Sequence, residues 1–334
     1  MKIIYNKIFL EHFTGSGHPE NRKRLEAFEP LPEKSIESAE QYLELVHTKL
    51  YIEQVKQASL ESRMIDPDTA TSLNSFKAAI CAAGATISAS QSNDFALVRP
   101  PGHHAHSSYG SGFCLFNNIA IATKKLIKEG KRIFILDIDG HLGDGTLEVF
   151  YDTDQVLFWS LHQYPAFPGG GFVDEIGVGK GKGYSINVPL PAGSGDDIYM
   201  HAITNFMTVA EQFKPDIVAV SAGFDAHQYD PLLQLRLTLN TYYNVGHLLQ
   251  SKFKNIFAVL EGGYNLEYLP KCVYNFIAGI NNQSMPFMEK DTISENDVVR
   301  EYEKRTKSLI KYLSPYWKLQ GYNFPNKKEQ QLSL

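Results

Sequence analysis

Short apolar runs alternate along the chain with longer stretches in which apolar residues recur at helical spacing. The apolar runs are typical of strands buried on both faces. They fall at 3–5, 95–98, 133–136, 156–161, 184–188, 217–221 and 256–260. Helical patterns lie between them, near 74–90, 118–129, 196–212, 241–253 and 266–281. This alternation predicts an α/β fold with a mostly parallel sheet and helices on both of its faces.

Nothing in the pattern divides the chain into separate units, because it has no Pro/Ser-rich linker, low-complexity tract or internal repeat. The glycine-rich stretch 168–184 lacks the spacing of a phosphate-binding loop, so we expect a structured loop beside a site. From residue 285 the chain predicts a charged helix that closes on "SPYW". We therefore expect one domain over 1–334, with a C-terminal helical extension at about 285–334.

The composition excludes several classes of protein. The 334 residues are 43% hydrophobic, which is enough for a sizeable core. A net charge of −5 gives no sign of a nucleic-acid-binding surface. The cysteines, Cys81, Cys114 and Cys272, are too few and too far apart for a disulfide framework. No segment resembles a signal peptide or reaches the ~20 apolar residues of a membrane span. We expect a cytoplasmic protein that binds neither nucleic acid nor membrane.

Polar side chains with catalytic chemistry directly follow four of the predicted strands. They are His103, His104 and His106 after 95–98; Asp137, Asp139, His141 and Asp144 after 133–136; Asp225 and His227 after 217–221; and Glu261 and Tyr264 after 256–260. Ligands of open parallel sheets bind beyond the carboxyl ends of the strands. Because all four groups converge on that edge, we predict an active site there.

Three of these side chains form a set of metal ligands. Asp139, His141 and Asp225 offer oxygen and nitrogen donors, and three protein ligands with one open position are typical of catalytic zinc. Asp137, Asp139 and His141 alternate, so an extended segment points them the same way. Any one of these aspartates alone would be explained by a turn in a surface loop, but the whole set favours a metal site.

The tandem histidines His103 and His104 favour acid–base catalysis, because Asp137 and Asp144 remain available to orient one imidazole each. Tyr264 follows two glycines and could donate a hydrogen bond to a developing oxyanion. Phe113 and Phe167 are candidates to line an apolar channel, although core packing is the ordinary role of a lone aromatic residue. We interpret His106 and His227 as structural or surface residues.

Several sequence blocks resemble those of the zinc-dependent histone deacetylase family, which includes acetylpolyamine amidohydrolases and acetoin-utilisation proteins. The blocks are "GHPENRKRL", "RPPGHHA", "GFCLFNN", "LDIDGHLGDGT", "SLHQYPAFPGGG", "NVPLP", "SAGFDAHQYDPL" and "LEGGYN". They span about 17–281, and "SPYW" resembles the tail of class II members. The resemblance implies the arginase–deacetylase fold, with an eight-stranded, mostly parallel sheet flanked by helices.

The resemblance also implies roles for individual residues. It places Zn²⁺ on Asp139, His141 and Asp225. It pairs Asp137 with His103 and Asp144 with His104. It also makes His104 the general base and Tyr264 the oxyanion-polarising group. It implies a substrate tunnel formed by Phe113, Phe167, Gly112, Gly263, Leu232 and a rim aspartate, Asp68. It implies a structural K⁺ site at Asp137, Asp139, His141, Ser160 and Leu161, and a weaker monovalent site around Phe150, Thr153, Val156 and Tyr184.

The chain departs from the family pattern at two places. Gly140 and Leu142 flank His141, where the family usually has a bulkier residue and a second histidine. Leu142 replaces a histidine that is not a metal ligand, so we expect metal binding to persist while the packing around the site changes. The segment "DPLLQL" carries Leu232 and Leu233, where many members have "DPLGGL".

The expected reaction is hydrolysis of an N-acyl amine, with zinc or Fe²⁺ and Tyr264 polarising the carbonyl while His104 takes a proton from water. Polyamine-selective members carry an acidic residue at the tunnel mouth, and Leu232 in that place favours acetyl-lysine in proteins or peptides. Small acetylated amines are the alternative substrates. Two other functions stay open: a binuclear manganese ureohydrolase, and a catalytically impaired acyl-lysine binder. The sequence does not indicate an oligomeric state.

Overall fold

The computed structural model describes residues 1–319. Seven strands form one sheet within that range, in the order β1-β2-β7-β6-β3-β4-β5, and every neighbouring pair is parallel. They are β1 (Ile3–Ile4), β2 (Phe95–Ala96), β3 (Ile133–Asp137), β4 (Val156–Gln163), β5 (Ser185–Leu190), β6 (Ile217–Ala222) and β7 (Ile256–Leu260). The predicted parallel α/β sheet is confirmed. The eighth strand implied by the family resemblance is not found in residues 1–319, where each of the seven strands corresponds to one predicted apolar run.

The central strands are buried along their whole length, which explains why they appear in the sequence as uninterrupted apolar runs. Strands β2 and β5 show the limits of that signal. The β2 strand ends at Ala96, two residues short of the predicted end, shortly before Pro100 and Pro101. Pro189 is tolerated inside β5 because that strand lies at the edge of the sheet and needs hydrogen bonds on one side only.

Helices cover both faces of the sheet. They are α1 (Lys23–Glu26), α2 (Lys49–Glu61), α3 (Ser75–Ser92), α4 (Asn118–Lys128), α5 (Asp144–Phe150), α6 (Asp196–Phe213), α7 (Leu239–Lys252), α8 (Tyr268–Ile280) and α9 (Asn296–Leu313). The five predicted helical patterns correspond to α3, α4, α6, α7 and α8. The sequence prediction omitted α2, although its buried Tyr51, Val55 and Ala58 recur at helical spacing. It also omitted α5, whose first turn lies within the polar cluster.

Two predicted segments outside the sheet contact its strands or the residues that follow them. The stretch 168–184 is a loop, as predicted, with one short 3-10 helix at Gly179–Gly181. The charged helix predicted after 285 is α9, and its Arg305 donates to the backbone oxygens of Tyr164 (2.8 Å) and Pro189 (3.3 Å). Residues 320–334 of the predicted extension lie outside the described residues, and the single-domain division stays a prediction. No helix within residues 1–319 is long and apolar enough to cross a membrane.

Candidate active site

The site forms at the carboxyl ends of β2, β3, β6 and β7. The register aligns Asp137, the last residue of β3, with Ser160 on β4 and with Ser221 on β6. The chain then leaves the sheet, and residues 138–143 run irregularly into α5. The loops after the other three strands meet it, so side chains that are far apart in sequence face one another as predicted.

Asp139, His141 and Asp225 converge with their ligand atoms all within 4.8 Å of one another. The His141 Nδ1 atom lies 2.7 Å from Asp225 Oδ2 and 3.3 Å from Asp139 Oδ1. Burial alone would lower the pKa of His141, but the charge of Asp225 and hydrogen bonds to both aspartates raise it to about 10. The cluster therefore attracts positive charge strongly, and its donor set fits a zinc or ferrous ion.

Backbone groups fix the two carboxylates from behind. The Gly140 N–H donates to Asp225 Oδ1 (2.6 Å), and the Gly262 N–H donates to Asp139 Oδ2 (2.8 Å). Glycine is needed at position 262, because the backbone there passes very close to both carboxylates. A Cβ at Gly262 would lie 2.6 Å from both Asp139 Oδ2 and Asp225 Oδ2, far inside van der Waals contact. The sequence "EGGY" thus carries a packing requirement of the candidate metal site.

Each of the tandem histidines is held by its own aspartate. His103 Nδ1 lies 3.0 Å from Asp137 Oδ2, and His104 Nδ1 lies 2.7 Å from Asp144 Oδ1. Burial opposes protonation of His103, but the charges of Asp139 and Asp137 raise its pKa well above the ordinary value. Burial, and then repulsion from His103, lowers the pKa of His104 to about 4. The neighbouring rings therefore favour different charge states, with His104 neutral and able to accept a proton.

Tyr264 enters the site from the loop after β7. Burial raises the pKa of its phenol well above the ordinary value, so the hydroxyl keeps its proton and can donate it in a hydrogen bond. Its backbone N–H donates to Asp230 Oδ2 (2.6 Å), and its ring lies 5.0 Å from the Arg24 guanidinium carbon. Gly263, just before it, has a φ of +116°, a conformation that side-chain-bearing residues rarely adopt.

Aromatic rings flank these polar groups. The Phe167 ring packs edge-on against His104 and His141, with centroid separations of 5.1 and 6.3 Å. The Phe113 ring packs edge-on against Tyr264 at 5.8 Å. Phe167 is 47% exposed, so the apolar wall reaches the surface. Apolar ring surface therefore lies directly against the histidines and the tyrosine of the polar cluster.

Comparison with known proteins identifies the family. The family model described as "Histone deacetylase domain" matches residues 18–280. This chain belongs to the histone deacetylase family.

The resemblance to the deacetylase family extends over most of the chain. A protein of Archaeoglobus fulgidus named "Probable deacetylase" is 41% identical over 292 residues, which cover 79% of this chain and 81% of the relative. A protein of the same name from Methanothermobacter thermautotrophicus is 34% identical over 307 residues, covering 85% and 91%. The crystal structure of the HDA15 HD domain matches with a TM-score of 0.86 and 28% identity, over 95% of this chain and 94% of that one. A deacetylase fold and amide-hydrolase chemistry follow from these matches.

Three further residues that the deacetylase resemblance implicated, Gly112, Asp68 and Leu232, contact residues of the site or of its loops. A Cβ at Gly112 would lie 2.5 Å from His104 Cδ2, so this glycine lets the Phe113 loop approach the tandem histidines. The Asp68 backbone oxygen accepts from His18 Nε2 (3.0 Å), which places Asp68 near the Phe113 ring that His18 also contacts. Leu232 is half-buried, and its N–H donates to Asp230 Oδ1 (3.1 Å).

The monovalent-ion sites stay predictions. Ser160 lies beside Asp137 in the sheet register, and its hydroxyl is 2.9 Å from His162 Nδ1. Leu161, which completes that predicted set with Asp139 and His141, is buried. The residues of the weaker site, Phe150, Thr153, Val156 and Tyr184, gather around the start of β4, where the Phe158 N–H donates to the Tyr184 oxygen (2.9 Å).

Sequence reasoning missed a buried ionic cluster beneath the deacetylase site. Glu20 accepts from Arg99 Nη2 (2.8 Å) and Arg24 Nη1 (3.1 Å), and all three side chains are fully buried. Arg24 also donates from Nε to the Gly263 oxygen (2.7 Å) and from Nη2 to the Glu261 oxygen (2.5 Å), so it fixes the loop that carries Tyr264. The family block "GHPENRKRL" contains two of these residues, but no local pattern marks them as buried.

Two further carboxylates organise the site loops. Glu261 Oε2 accepts from the backbone N–H groups of Gly102 (2.7 Å) and His103 (3.1 Å), which fixes the turn that presents the histidine pair. Asp230 links the Leu232 segment to the Tyr264 loop through the hydrogen bonds described above. The sequence placed Glu261 at the correct edge, but its partners are backbone groups that no motif reveals.

Proposed function

We propose that this chain removes acetyl groups from N-acetyl-lysine in proteins or peptides, with Zn²⁺ held by Asp139, His141 and Asp225. One observation carries the proposal: a donor cluster for a single cation lies beside a histidine pair of opposite charge preference, with Phe167 packed against both. Within residues 1–319, this is the one group of three such side chains close enough to share an ion, which supports one metal rather than the two of a ureohydrolase.

The chain's own residues would divide the chemistry as follows. A bound Zn²⁺ supplies Lewis acidity to the acyl carbonyl and to water. His104, neutral and oriented by Asp144, accepts the proton of the attacking water and then transfers it to the leaving amine. Tyr264 donates its hydroxyl proton in a hydrogen bond to the oxygen on which negative charge develops. His103, hydrogen-bonded to Asp137, would favour the same negative charge through its positive potential when it is protonated.

The rings of Phe113 and Phe167 favour a slender apolar chain, such as the butyl segment of acyl-lysine. Leu232 at the mouth offers no negative charge for a second amine, which supports a peptide substrate over an acetylated polyamine. Removal of acetyl groups from small acetylated amines by the same residues is the second candidate function, and ferrous iron is the alternative metal.

The test compares metal-loaded protein on an acetyl-lysine peptide and on acetylated putrescine, with acetate release as the measurement. We expect faster release from the peptide and loss of release in His104→Ala and Tyr264→Phe. Leu232→Glu is the matched variant for selectivity, and we expect it to shift the ratio of kcat/KM values toward putrescine. Faster release from putrescine by the unaltered protein would overturn the substrate assignment. Peptide binding in calorimetry without any acetate release would instead establish a binder.

A further inference from the structure

We propose that His106 is a positioning residue for the His104–Asp144 pair, a role that rests on the deacetylase function proposed above. The His106 ring lies between two carboxylates. Its Nε2 atom is 2.9 Å from Asp144 Oδ2, and its Nδ1 atom is 2.6 Å from Glu148 Oε2. Asp144 Oδ1 simultaneously faces His104 Nδ1 at 2.7 Å. One hydrogen-bonded chain therefore runs from the general base to the protein surface.

The geometry of α5 makes this arrangement possible. Asp144 and Glu148 are four residues apart on that helix, so their side chains lie on one face and can hold a ring between them. Glu148 is anchored in turn, because its Oε1 atom accepts from the N–H (3.1 Å) and the hydroxyl (2.8 Å) of Ser107. Asp144 and Glu148 thus form a carboxylate clamp on the His106 ring. Glu148 is also hydrogen-bonded to the loop that carries His106.

The His106 ring itself has little freedom. Tyr109 stacks on it with a centroid separation of 4.1 Å and an angle of 13° between the planes. The residue's backbone N–H donates to the Tyr109 oxygen (2.9 Å), and its own oxygen faces His47 Nδ1 at 2.9 Å. A ring that is stacked on one face and hydrogen-bonded at both nitrogens can transmit a fixed orientation to Asp144.

Asp144 needs that orientation. Within residues 1–319, His104 and His106 are the two hydrogen-bond partners of its carboxylate. Burial lowers the pKa of His106, but its hydrogen bonds to Asp144 and Glu148 raise it overall. Both ring nitrogens face carboxylate oxygens. Removing His106 would free Oδ2, and the carboxylate could then rotate away from His104. The imidazole that accepts the proton would lose its fixed tautomer and direction.

The kinetic test uses His106→Gln, because the single amide nitrogen of glutamine cannot occupy both positions that Nδ1 and Nε2 hold against the two carboxylates. We expect kcat on the acetyl-lysine peptide to fall by about tenfold, with KM unchanged within about twofold. In an Asp144→Asn background the same substitution should change kcat by less than about twofold, since residues that act as one unit are not additive. The matched control is His201→Gln on α6, where His201 is hydrogen-bonded to Tyr302 (3.0 Å). An equal loss with and without the Asp144 change would overturn the proposal.

A second measurement does not depend on turnover. In protein labelled with ¹⁵N-histidine, we expect His106→Gln to shift the His104 Nδ1–H resonance and His201→Gln to leave it unchanged. If the unaltered protein released no acetate, the proposed function would fail while this spectrum would still decide the role of His106. An unchanged resonance would overturn that role. If His106→Gln does not fold, Glu148→Gln loosens the clamp from outside and should shift the same resonance, and its failure to do so counts equally against the proposal.

Discussion

Adding a single methyl group at Gly140 tests how the chain accommodates its departure from the family pattern. Gly140 lies between two of the candidate metal ligands, and a Cβ there would be 2.4 Å from Leu233 Cδ1 and 3.0 Å from Asp225 Oδ1. Its backbone is not in the left-handed region, so crowding alone opposes a side chain. Leu233 comes from the loop after β6 and occupies the space that a larger residue at 140 would need.

The magnitude follows from the geometry. Carbon atoms pack best at about 3.5–4.0 Å, so Leu233 would have to retreat by at least about 1 Å. Overpacking of this kind costs about 1–3 kcal/mol of folding free energy. Alanine also lowers the conformational entropy of the unfolded chain, which offsets about 0.4–1 kcal/mol of that cost. We expect Gly140→Ala to lower the free energy of unfolding by about 1–2 kcal/mol. The Gly140 N–H still reaches Asp225, so metal binding should persist.

Urea unfolding of four proteins checks this estimate: the unaltered chain, Gly140→Ala, Leu233→Ala and the double variant. Shortening Leu233 opens the space that the new methyl group needs. In the Leu233→Ala background we therefore expect Gly140→Ala to be neutral or stabilising, with a coupling free energy of about 1–2 kcal/mol. Gly17→Ala is the control, because Gly17 is exposed with no atom near its Cβ position, and its effect should stay within about 0.5 kcal/mol.

One result would refute this account. If Gly140→Ala costs the same free energy whether residue 233 is leucine or alanine, the two positions do not compete for space. The contact with Asp225 would then be the cause of the loss. If the two substitutions compensate each other, Gly140 and Leu233 depart from the family pattern together. The side chain of Leu233 then fills the space that the missing side chain at 140 leaves, although the two residues lie 93 positions apart in the chain.

Three further predictions follow from the buried charges. Burial alone would raise the pKa of Glu20, but Arg99 holds it at about 2, below its unfolded value near 4.5. The resulting stability is present above pH 4.5 and is lost as the pH falls toward 2. Between pH 5 and 2 the unfolding free energy in urea should therefore fall by about 3 kcal/mol more in the unaltered protein than in Glu20→Gln, and parallel curves would contradict this. Asp230→Asn should lower kcat by about tenfold. In a Tyr264→Phe background the same substitution should lower kcat little further, and an equal loss in both backgrounds would exclude action through Tyr264. Chelation of divalent metal should lower Tm by several degrees in scanning calorimetry, since an ion that binds only the folded chain stabilises it; Asp225→Asn should show no such shift, and an equal shift in both would place the metal elsewhere.

The sequence by itself determined the strands, the parallel sheet and the edge at which the site forms. Strands such as 133–137 are buried on both faces, so their apolar runs are visible without any knowledge of their neighbours. Connections between parallel strands bring all carboxyl ends to one edge, which is why Asp139, His141 and Asp225 could be grouped from their positions alone. Motif blocks then supplied the pairing of each histidine with its aspartate.

Tertiary structure alone decided how these groups are held. The Arg24 contact to the Tyr264 loop, the filling of the space at Gly140 by Leu233, and the placement of His106 between two carboxylates all join segments whose local patterns carry no sign of one another. His106 was interpreted as structural because one imidazole on a loop gives no information about its partners. Periodicity records which face of an element is buried, whereas the partner of each nitrogen and oxygen depends on where every other element packs.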